Sequence, residues 1–505
     1  MGLQLRVDGR PVEVADDGSS LLEVLRDRLG MRSPKDGCSP QGQCGCCTVL
    51  VDGAPRVACV TPARRVAGRE VTTADGLAAE ERRAWGDAFC ATGASQCGFC
   101  SPGIIVRLAA LRARDPRSVE RALLAHLCRC TGWRTIVDAA EAYGLDQPPR
   151  DLEAASARAT IEGGTPQRVG GDIPLGAGGF ADDGAPTGAL VAVPDGAGSW
   201  AVGETLAEAR ERAGKVQGRR TTIEVLHPLA VPDGDWDVTL RTTWVEPAYL
   251  EPDASWCEPG GEPATPLANG GAFGGKVASV APGAARRLAD QHGRAVRVVL
   301  SREDVVRLGP KRPPLAAGVR SDGRGVVHVV RTAGIGDAIR SVAPELEVVE
   351  AEVSGPPTSA ALRAAGWAEA AVLLAAARGD AVVRSPSGAT ARAEVGADHV
   401  RVRVSCGTPL DEVVLRSYCV GAAHMALGLV RSEGVAVDAE GEVHDLTIRS
   451  FGVLRAVDMP AVEVEIEGSD DPPVNGSDAV FAAVAAAAWH ADGLPPQWPT
   501  RRRIA

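Results

Sequence analysis

Basic residues are in deficit in this chain. Its 54 lysines and arginines face 65 aspartates and glutamates, for a formal net charge of −11. A nucleic-acid partner is therefore not expected, because neutralising phosphates needs a basic surface. No apolar run long enough to span a bilayer stands out, and the Ala-rich stretch Val480–Trp489 is too short for one. No apolar stretch follows a basic start, so no signal peptide is expected. A cytoplasmic location is the default, and thiols stay reduced there. Cysteine is scarce in most of the chain: beyond residue 130 only Cys257, Cys406 and Cys419 occur. The other ten lie between Cys38 and Cys130. Crowded cysteines in a reducing compartment point to metal ligands or redox groups rather than disulfides. With 45% hydrophobic residues in a chain of 505, there is material for several domains.

The first 75 residues have the pattern of a small β-grasp-like unit. "LQLRVDGRPVEV" alternates as two strands about Asp8-Gly9, and "CTVLVDGAPRVAC" does the same about Asp52-Gly53. Between them "SSLLEVLRDRLG" predicts a helix with Ser19 or Ser20 as N-cap and Gly30 as stop. The loop "CSPQGQCGCC" follows that helix. Cys38, Cys44, Cys47 and Cys59 approximate the plant-type ferredoxin spacing C-x4-C-x2-C…C, with one extra residue before Cys44 that a bulge can absorb. Gly37, Gly42 and Gly45 suit positive φ and close approach of backbone N–H groups to sulfur. Cys46 is surplus, and its side chain is expected to point away. A zinc site is the competing assignment, but zinc knuckles come as paired C-x2-C motifs and only one such pair is present here.

Residues 76–145 predict helices. "AAEERRAWGDAFCATG" is one; Ser101-Pro102 opens another, Ser118 caps a third, and a fourth ends at Gly144. "QCGFC" precedes one helix and "CRC" follows another. Antiparallel packing would therefore bring Cys97, Cys100, Cys128 and Cys130 together.

"CGCCTVLVDG", "QCGFCSPG" and "LCRCTGW" resemble the iron–sulfur subunit of the molybdenum hydroxylases, the family of xanthine dehydrogenase, aldehyde oxidase and aerobic carbon monoxide dehydrogenase. The resemblance covers about the first 145 residues. It implies a ferredoxin-like 2Fe-2S domain over 1–75 and a four-helix 2Fe-2S domain over 76–145, with one cluster each. It also implies an electron relay between a molybdenum centre and a flavin, with the helical-domain cluster nearer the molybdenum. Gln96 would contact the pterin of the molybdenum cofactor.

Residues 146–164, rich in Gly, Pro, Ala and Asp, are expected to be a linker, and 165–505 an α+β region. "GGAFGGK" (Gly270–Lys276) satisfies the P-loop pattern G-x-x-x-x-G-K, but Val277 stands where a magnesium-binding Ser or Thr belongs and no strand precedes it. The segment resembles instead the molybdenum-subunit loop that lies near the metal, which nominates Gly271, Phe273, Gly274 and Gly275 as cofactor contacts. "PLGAGGFADD", "AYLEP", "PPTSAALRAAGWAE", "SYCVGAAHMALG" and "SFGVLRAVDMP" continue the resemblance in order, and Arg363 would face the substrate pocket. The chain is thus similar to an iron–sulfur subunit fused to a shortened molybdenum subunit.

The resemblance fails where chemistry would be done. The stretch between "AYLEP" and "GGAFGGK" is compressed to residues 253–269. The family's G-x-K-x-x-G-E, which carries the glutamate base, corresponds to "GSDAVFA": Asp478 replaces Lys, Phe481 replaces Gly and Ala482 replaces Glu. A methyl group takes no proton, and general-base catalysis is worth roughly 10²–10⁴-fold. The expectation is an electron-transfer component with a catalytically inactive scaffold, working with a molybdenum-containing catalytic subunit, a flavoprotein carrying FAD, or both. It would assemble as a homo- or hetero-oligomer. The alternatives are a compact active molybdopterin hydroxylase of heterocycles or aldehydes, and a non-catalytic zinc-bearing interaction protein.

Overall fold

The computed structural model describes residues 2–214, 223–266, 270–380 and 382–501. Strands β1 (Gly2–Val7) and β2 (Arg10–Ala15) pair antiparallel about Asp8 (φ 49°) and Gly9 (φ 76°). Strands β3 (Thr48–Val51) and β4 (Ala54–Val57) turn about Asp52 and Gly53, also at positive φ, as tight hairpins require. With β5 (Glu70–Thr72) they form one sheet in the order β2-β1-β5-β3-β4. The α1 turn (Leu21–Glu23), capped by a Ser20–Glu23 capping box, runs on into a π-helical turn at Val24–Arg28. It buries Leu21, Val24 and Leu25.

Helices α2 (Ala79–Thr92), α3 (Ser101–Ala109), α4 (Pro116–Ala122) and α5 (Arg134–Ala142) follow. Two starts differ from the sequence expectation. Cys100, not Ser101, is the N-cap of α3, and Asp115, not Ser118, caps α4 by accepting from the Ser118 amide. In the second case Pro116 supplies the preset first position, so the helix begins earlier.

The stretch expected as a linker carries helix α6 (Leu152–Gly163), capped by Asp151 and ended by Gly164 in the left-handed region. Its periodicity is blurred because it is buried on several sides. Arg158 and Glu162 pair there with no exposure, and Glu162 also accepts the amides of Gly476 (3.0 Å) and Ser477 (2.9 Å).

Among the described residues the second half holds three further four-stranded sheets. The first contains β6 (Leu190–Pro194), β7 (Trp200–Gly203), β9 (Ala254–Cys257) and β10 (Val296–Val299). It packs on α7 (Leu206–Arg212) and α8 (Ala281–His292), and α9 (Arg302–Leu308) follows β10. The second contains β8 (Val238–Arg241), β11 (Leu315–Val319), β12 (Gly325–Val330) and β13 (Leu346–Ala351), with α10 (Ile335–Arg340) and α11 (Trp367–Arg378). The third contains β14 (Val382–Arg384), β15 (Thr390–Val395), β16 (His399–Ser405) and β17 (Ala461–Glu467). Helices α12 (Glu412–Arg431) and α13 (Ser477–Ala491) cover that sheet and each other. At 20 residues and mean hydropathy 1.5, α12 is long and apolar enough to cross a membrane, contrary to the sequence expectation. It is 89% buried over its apolar window, as a core helix. One continuous apolar core runs from Leu5 in β1 through α2–α5 to α12, α13 and Trp498.

Candidate metal centres

The first cysteine loop is pinned at both ends by backbone. The Lys35 amide donates to Cys46 O (3.2 Å), and the Thr48 amide to Gly45 O (3.1 Å). Cys38, Cys44 and Cys47 are 1% exposed and Cys59 5%. The Cys38 thiol is in hydrogen-bonding contact with those of Cys44 and Cys59, and Cys59 with that of Cys47. Amides of Gln41 (3.1 Å) and Gln43 (3.5 Å) donate to Cys38 Sγ, and that of Cys59 to Cys47 Sγ (3.4 Å). Within the longer Cys38–Cys44 spacing, Ser39 takes φ 44°. Gly42 and Gly45 do adopt positive φ. Gly37 is needed for space instead: a Cβ there would stand 3.0 Å from Cys44 Sγ and 3.1 Å from Cys46 Sγ. Cys46 does not point away, because its buried thiol contacts that of Cys44.

Crowding divides these thiols. Hydrogen bonds from Cys44 and Cys59 hold Cys38 well below an ordinary thiol, while the same contact with Cys38 pushes Cys44 well above it. Four thiolates this close repel one another, and cations among them are what allow all four to ionise.

The second set gathers from two loops. Cys97 and Cys100 lie just before α3, and Cys128 and Cys130 between α4 and α5. Cys130 Sγ is 3.6 Å from Cys97 Sγ, and Cys100 contacts Cys128. That contact, with the Thr131 hydroxyl at 3.1 Å, lowers Cys128 to about 7. Thus Cys97 faces Cys130 and Cys100 faces Cys128. Thiols in pairs, with amides aimed at sulfur, fit a two-iron cluster in which each iron takes two cysteines.

The two sets are back to back. Gly103 in α3 sits so close to the first loop that a Cβ would lie 2.4 Å from Gly45 O and 2.8 Å from Cys46 O. The Leu127 amide donates to Cys44 O (2.9 Å), and His126 Nε2 meets Thr48 Oγ1 (3.1 Å). Burial pushes His126 down to about 3, so its imidazole is neutral.

Residues expected to hold a pterin are occupied otherwise. Gln96 Nε2 donates to Cys130 O and to Ser417 Oγ, both at 3.0 Å; Gln96 Oε1 is buried without a partner. Helix α12 lies directly on the second set, and a Cβ on Gly421 would be 1.8 Å from Cys130 O. Gly274 (φ 85°) is jammed against Ala361 O, and Gly275 against the Tyr249 ring. Lys276 is buried in an ion pair with Glu251 (2.7 Å). The described part of the motif opens with a 3-10 turn at Gly270–Ala272, and helix α8 starts only at Ala281, so no helix begins at the Gly-Lys end as a phosphate cradle requires. Arg363 stacks 4.9 Å from the Phe273 ring centre, pairs with Asp478 (2.8 Å) and touches the Ser477 hydroxyl and Met425 Sδ (3.5 Å). Asp478 is therefore a partner for Arg363 rather than a helix cap or a free base, and burial raises its acid.

Carboxylates that no spacing announced complete the filling. Glu433 holds Arg129 in two bonds (2.5 and 2.8 Å), Glu369 holds Arg312, and Glu246 holds Lys311 (2.8 Å). The cavities left beside Cys97 and Lys276, around Gln96, and between Arg363 and Arg129 measure about 10, 20 and 30 Å³. Each has room for a water or two, whereas ligand pockets run from about 300 Å³ upward. The residues present do not fit a molybdopterin.

Comparison with known proteins finds two iron–sulfur domains in the N-terminal part. Residues 5–69 match the family described as 2Fe-2S iron-sulfur cluster binding domain, and residues 73–141 the 2Fe-2S binding domain family. The nicotinate dehydrogenase small FeS subunit of Eubacterium barkeri is 34% identical over 152 residues, 29% of this chain and 95% of that protein. The xanthine dehydrogenase iron-sulfur-binding subunit of Escherichia coli is 38% identical over 145 residues, 27% of this chain and 89% of that one. Aldehyde oxidoreductase from Desulfovibrio gigas shares the fold, with a TM-score of 0.70 at 14% identity, spanning 96% of this chain and 97% of that one.

Two 2Fe-2S domains on one core define an iron–sulfur electron-transfer protein, a component of an oxidoreductase. The chain belongs to the molybdenum hydroxylase family, with its iron–sulfur part fused to a region of molybdenum-subunit-like fold.

Proposed function

We propose that Cys38, Cys44, Cys47 and Cys59 hold one 2Fe-2S cluster and Cys97, Cys100, Cys128 and Cys130 the other. Residues 1–75 and 76–145 are the two carriers, and 165–505 is a scaffold without its own molybdenum chemistry. When bound, the clusters supply one-electron redox chemistry. The protein keeps them dry, aims amides at Cys38 and Cys47 sulfur, and fixes the two sites across the Gly103–Gly45 contact. The observation that carries the scaffold half is the cleft filled by Arg129–Glu433, Arg312–Glu369 and Arg363–Asp478. Substrate oxidation then belongs to a partner subunit bearing molybdenum, in the cytoplasm; relatives named for nicotinate and xanthine support an N-heterocycle as its substrate, and one named for aldehydes supports an aldehyde. Gln96, Gly271, Phe273, Gly274, Gly275 and Arg363 are structural here.

Metal analysis tests both halves. The purified chain is expected to carry about four irons and no molybdenum, alone or after co-expression with neighbouring genes. Stoichiometric molybdenum in the chain alone would overturn the scaffold assignment, and a colourless zinc protein would overturn the relay.

A further inference from the structure

Two arginines hold the first cysteine loop without a carboxylate of their own. Arg302, at the start of α9, is fully buried. Its Nη2 donates to Gly37 O and Leu250 O, both at 2.7 Å, while its Nε and Nη1 are buried without a partner. Arg449, half-buried, reaches the far end of the loop. Its Nε donates to Gln43 O (2.9 Å) and its Nη2 to Leu124 O (2.9 Å). The two guanidiniums thus grip the carbonyls just before Cys38 and just before Cys44. Both lie close to sulfur. A Cβ on Gly37 would stand 3.0 Å from Cys44 Sγ, and the thiols of Cys44 and Cys38 are among the charge neighbours of Arg449.

Other charges around the loop are matched. Lys35 pairs with Asp183, Arg26 with Asp182 (2.7 Å) and Asp183 (2.9 Å), and Asp36 with Arg210 (3.8 Å). Arg455, beside Arg449, pairs with Asp458 (2.7 Å). Asp253, which like Arg302 flanks Tyr249, accepts the Tyr249 hydroxyl (2.8 Å) instead. Among the described residues, neither Arg302 nor Arg449 has a carboxylate within ion-pair distance. At the second set, by contrast, Arg129 is held by Glu433 in two bonds.

We propose that Arg302 and Arg449 are the counter-charge of the first cluster and favour its reduced state. The proposal rests on Cys38, Cys44, Cys47 and Cys59 being cluster ligands. Burying a lone charge is costly, so a buried arginine with no carboxylate points to a negative group that the polypeptide does not supply. Two ferric ions, two sulfides and four thiolates sum to two negative charges, and one added electron makes three. Two guanidiniums balance the first sum and attract the electron that makes the second. Neither gives up its proton, so the positive charge is fixed.

A redox titration of the iron-loaded chain, followed by electron paramagnetic resonance, reads the two clusters separately. Arg302→Gln and Arg449→Gln each keep a donor for a carbonyl and remove the charge. Each should make the first cluster about tenfold harder to reduce, a fall of about 59 mV for a one-electron couple. Arg302→Lys and Arg449→Lys keep the charge and should stay within about threefold of the parent. In Arg449→Gln the second cluster should stay within about twofold. Arg449 is half-buried, so its variants report even where Arg302→Gln fails to fold. An unmoved first potential in either folded glutamine variant overturns the proposal. So does an equal fall in the lysine variants, or an equal fall of both clusters in Arg449→Gln. Failure of the cluster assignment shows separately, as a parent chain with neither iron nor paramagnetic signal.

Discussion

The thiol of Cys46 is fully buried, touches that of Cys44, and has Cys38, Cys47 and Cys128 as its nearest charge neighbours. Its Sγ–H donates to the Cys44 carbonyl (3.9 Å), and its sulfur touches that of Cys44, within reach of a cluster ligand. Hydrogen bonds to sulfur raise a cluster's potential. Cys46→Ala should keep its iron and lower the first cluster's potential by about 40 mV, the equivalent of roughly 1 kcal/mol, in a redox titration followed by electron paramagnetic resonance. Loss of iron would instead make Cys46 a ligand. A second residue-scale consequence concerns acid. His424 is fully buried with Nε2 3.0 Å from Leu454 O, and burial depresses it to about 4. An unfolded histidine titrates near 6.5, so the unfolded chain takes up the proton first as pH falls. The contribution is whole above about 6.5 and drains away as pH drops toward about 4. His424→Gln keeps a donor for Leu454 O but removes the titration. Urea midpoints at pH 7 and pH 5 should therefore differ less in the variant than in the parent.

At the scale of elements, α12 does what local sequence could not announce. It crosses the second cysteine set with Gly421 against Cys130 O and Ser417 against Gln96. Adding a methyl at Gly421 forces the helix or the loop to move. Gly421→Ala should cost about 1–3 kcal/mol and disturb the paramagnetic signal of the second cluster while sparing the first. Loss of both signals together would mean that the helix supports the whole N-terminal half. Much of that half is legible in the sequence, because the devices are local. Asp8-Gly9 and Asp52-Gly53 make hairpin turns, Ser20 and Glu23 make a capping box, and Gly93 stops α2 in the left-handed region. The cysteine pairs also follow from spacing once two helix ends meet. Helix α6 is not legible, since its polar residues, Arg158 and Glu162, are turned inward on partners more than 240 residues away. The ring of Glu433, Glu369 and Glu246 escapes for the same reason: Arg129 and Glu433 are 304 residues apart, and no motif connects them.

At the scale of the molecule, one large core joins α2–α5 to α12–α13 and holds the charged seam, while the sheet of β6, β7, β9 and β10 keeps smaller apolar clusters of its own. Arg129 belongs to the second cysteine loop and Glu433 to the segment after α12, so their pair fastens the electron-carrying half to the scaffold at 4% and 1% side-chain exposure. Removing one member leaves a buried charge uncompensated, which costs about 3–5 kcal/mol, whereas replacing both with apolar residues of similar volume costs far less. Glu433→Ala should therefore lower the urea midpoint sharply, and Arg129→Met with Glu433→Leu should recover most of the loss. A shared core also fixes the order of events. Cluster absorbance and far-ultraviolet circular dichroism should be lost in one coincident transition in the parent. Two separated transitions, with the clusters surviving after the scaffold has melted, would mean that the N-terminal modules stand alone. The long helix over Cys130 would then be a cover laid on a finished electron carrier, not part of what folds it.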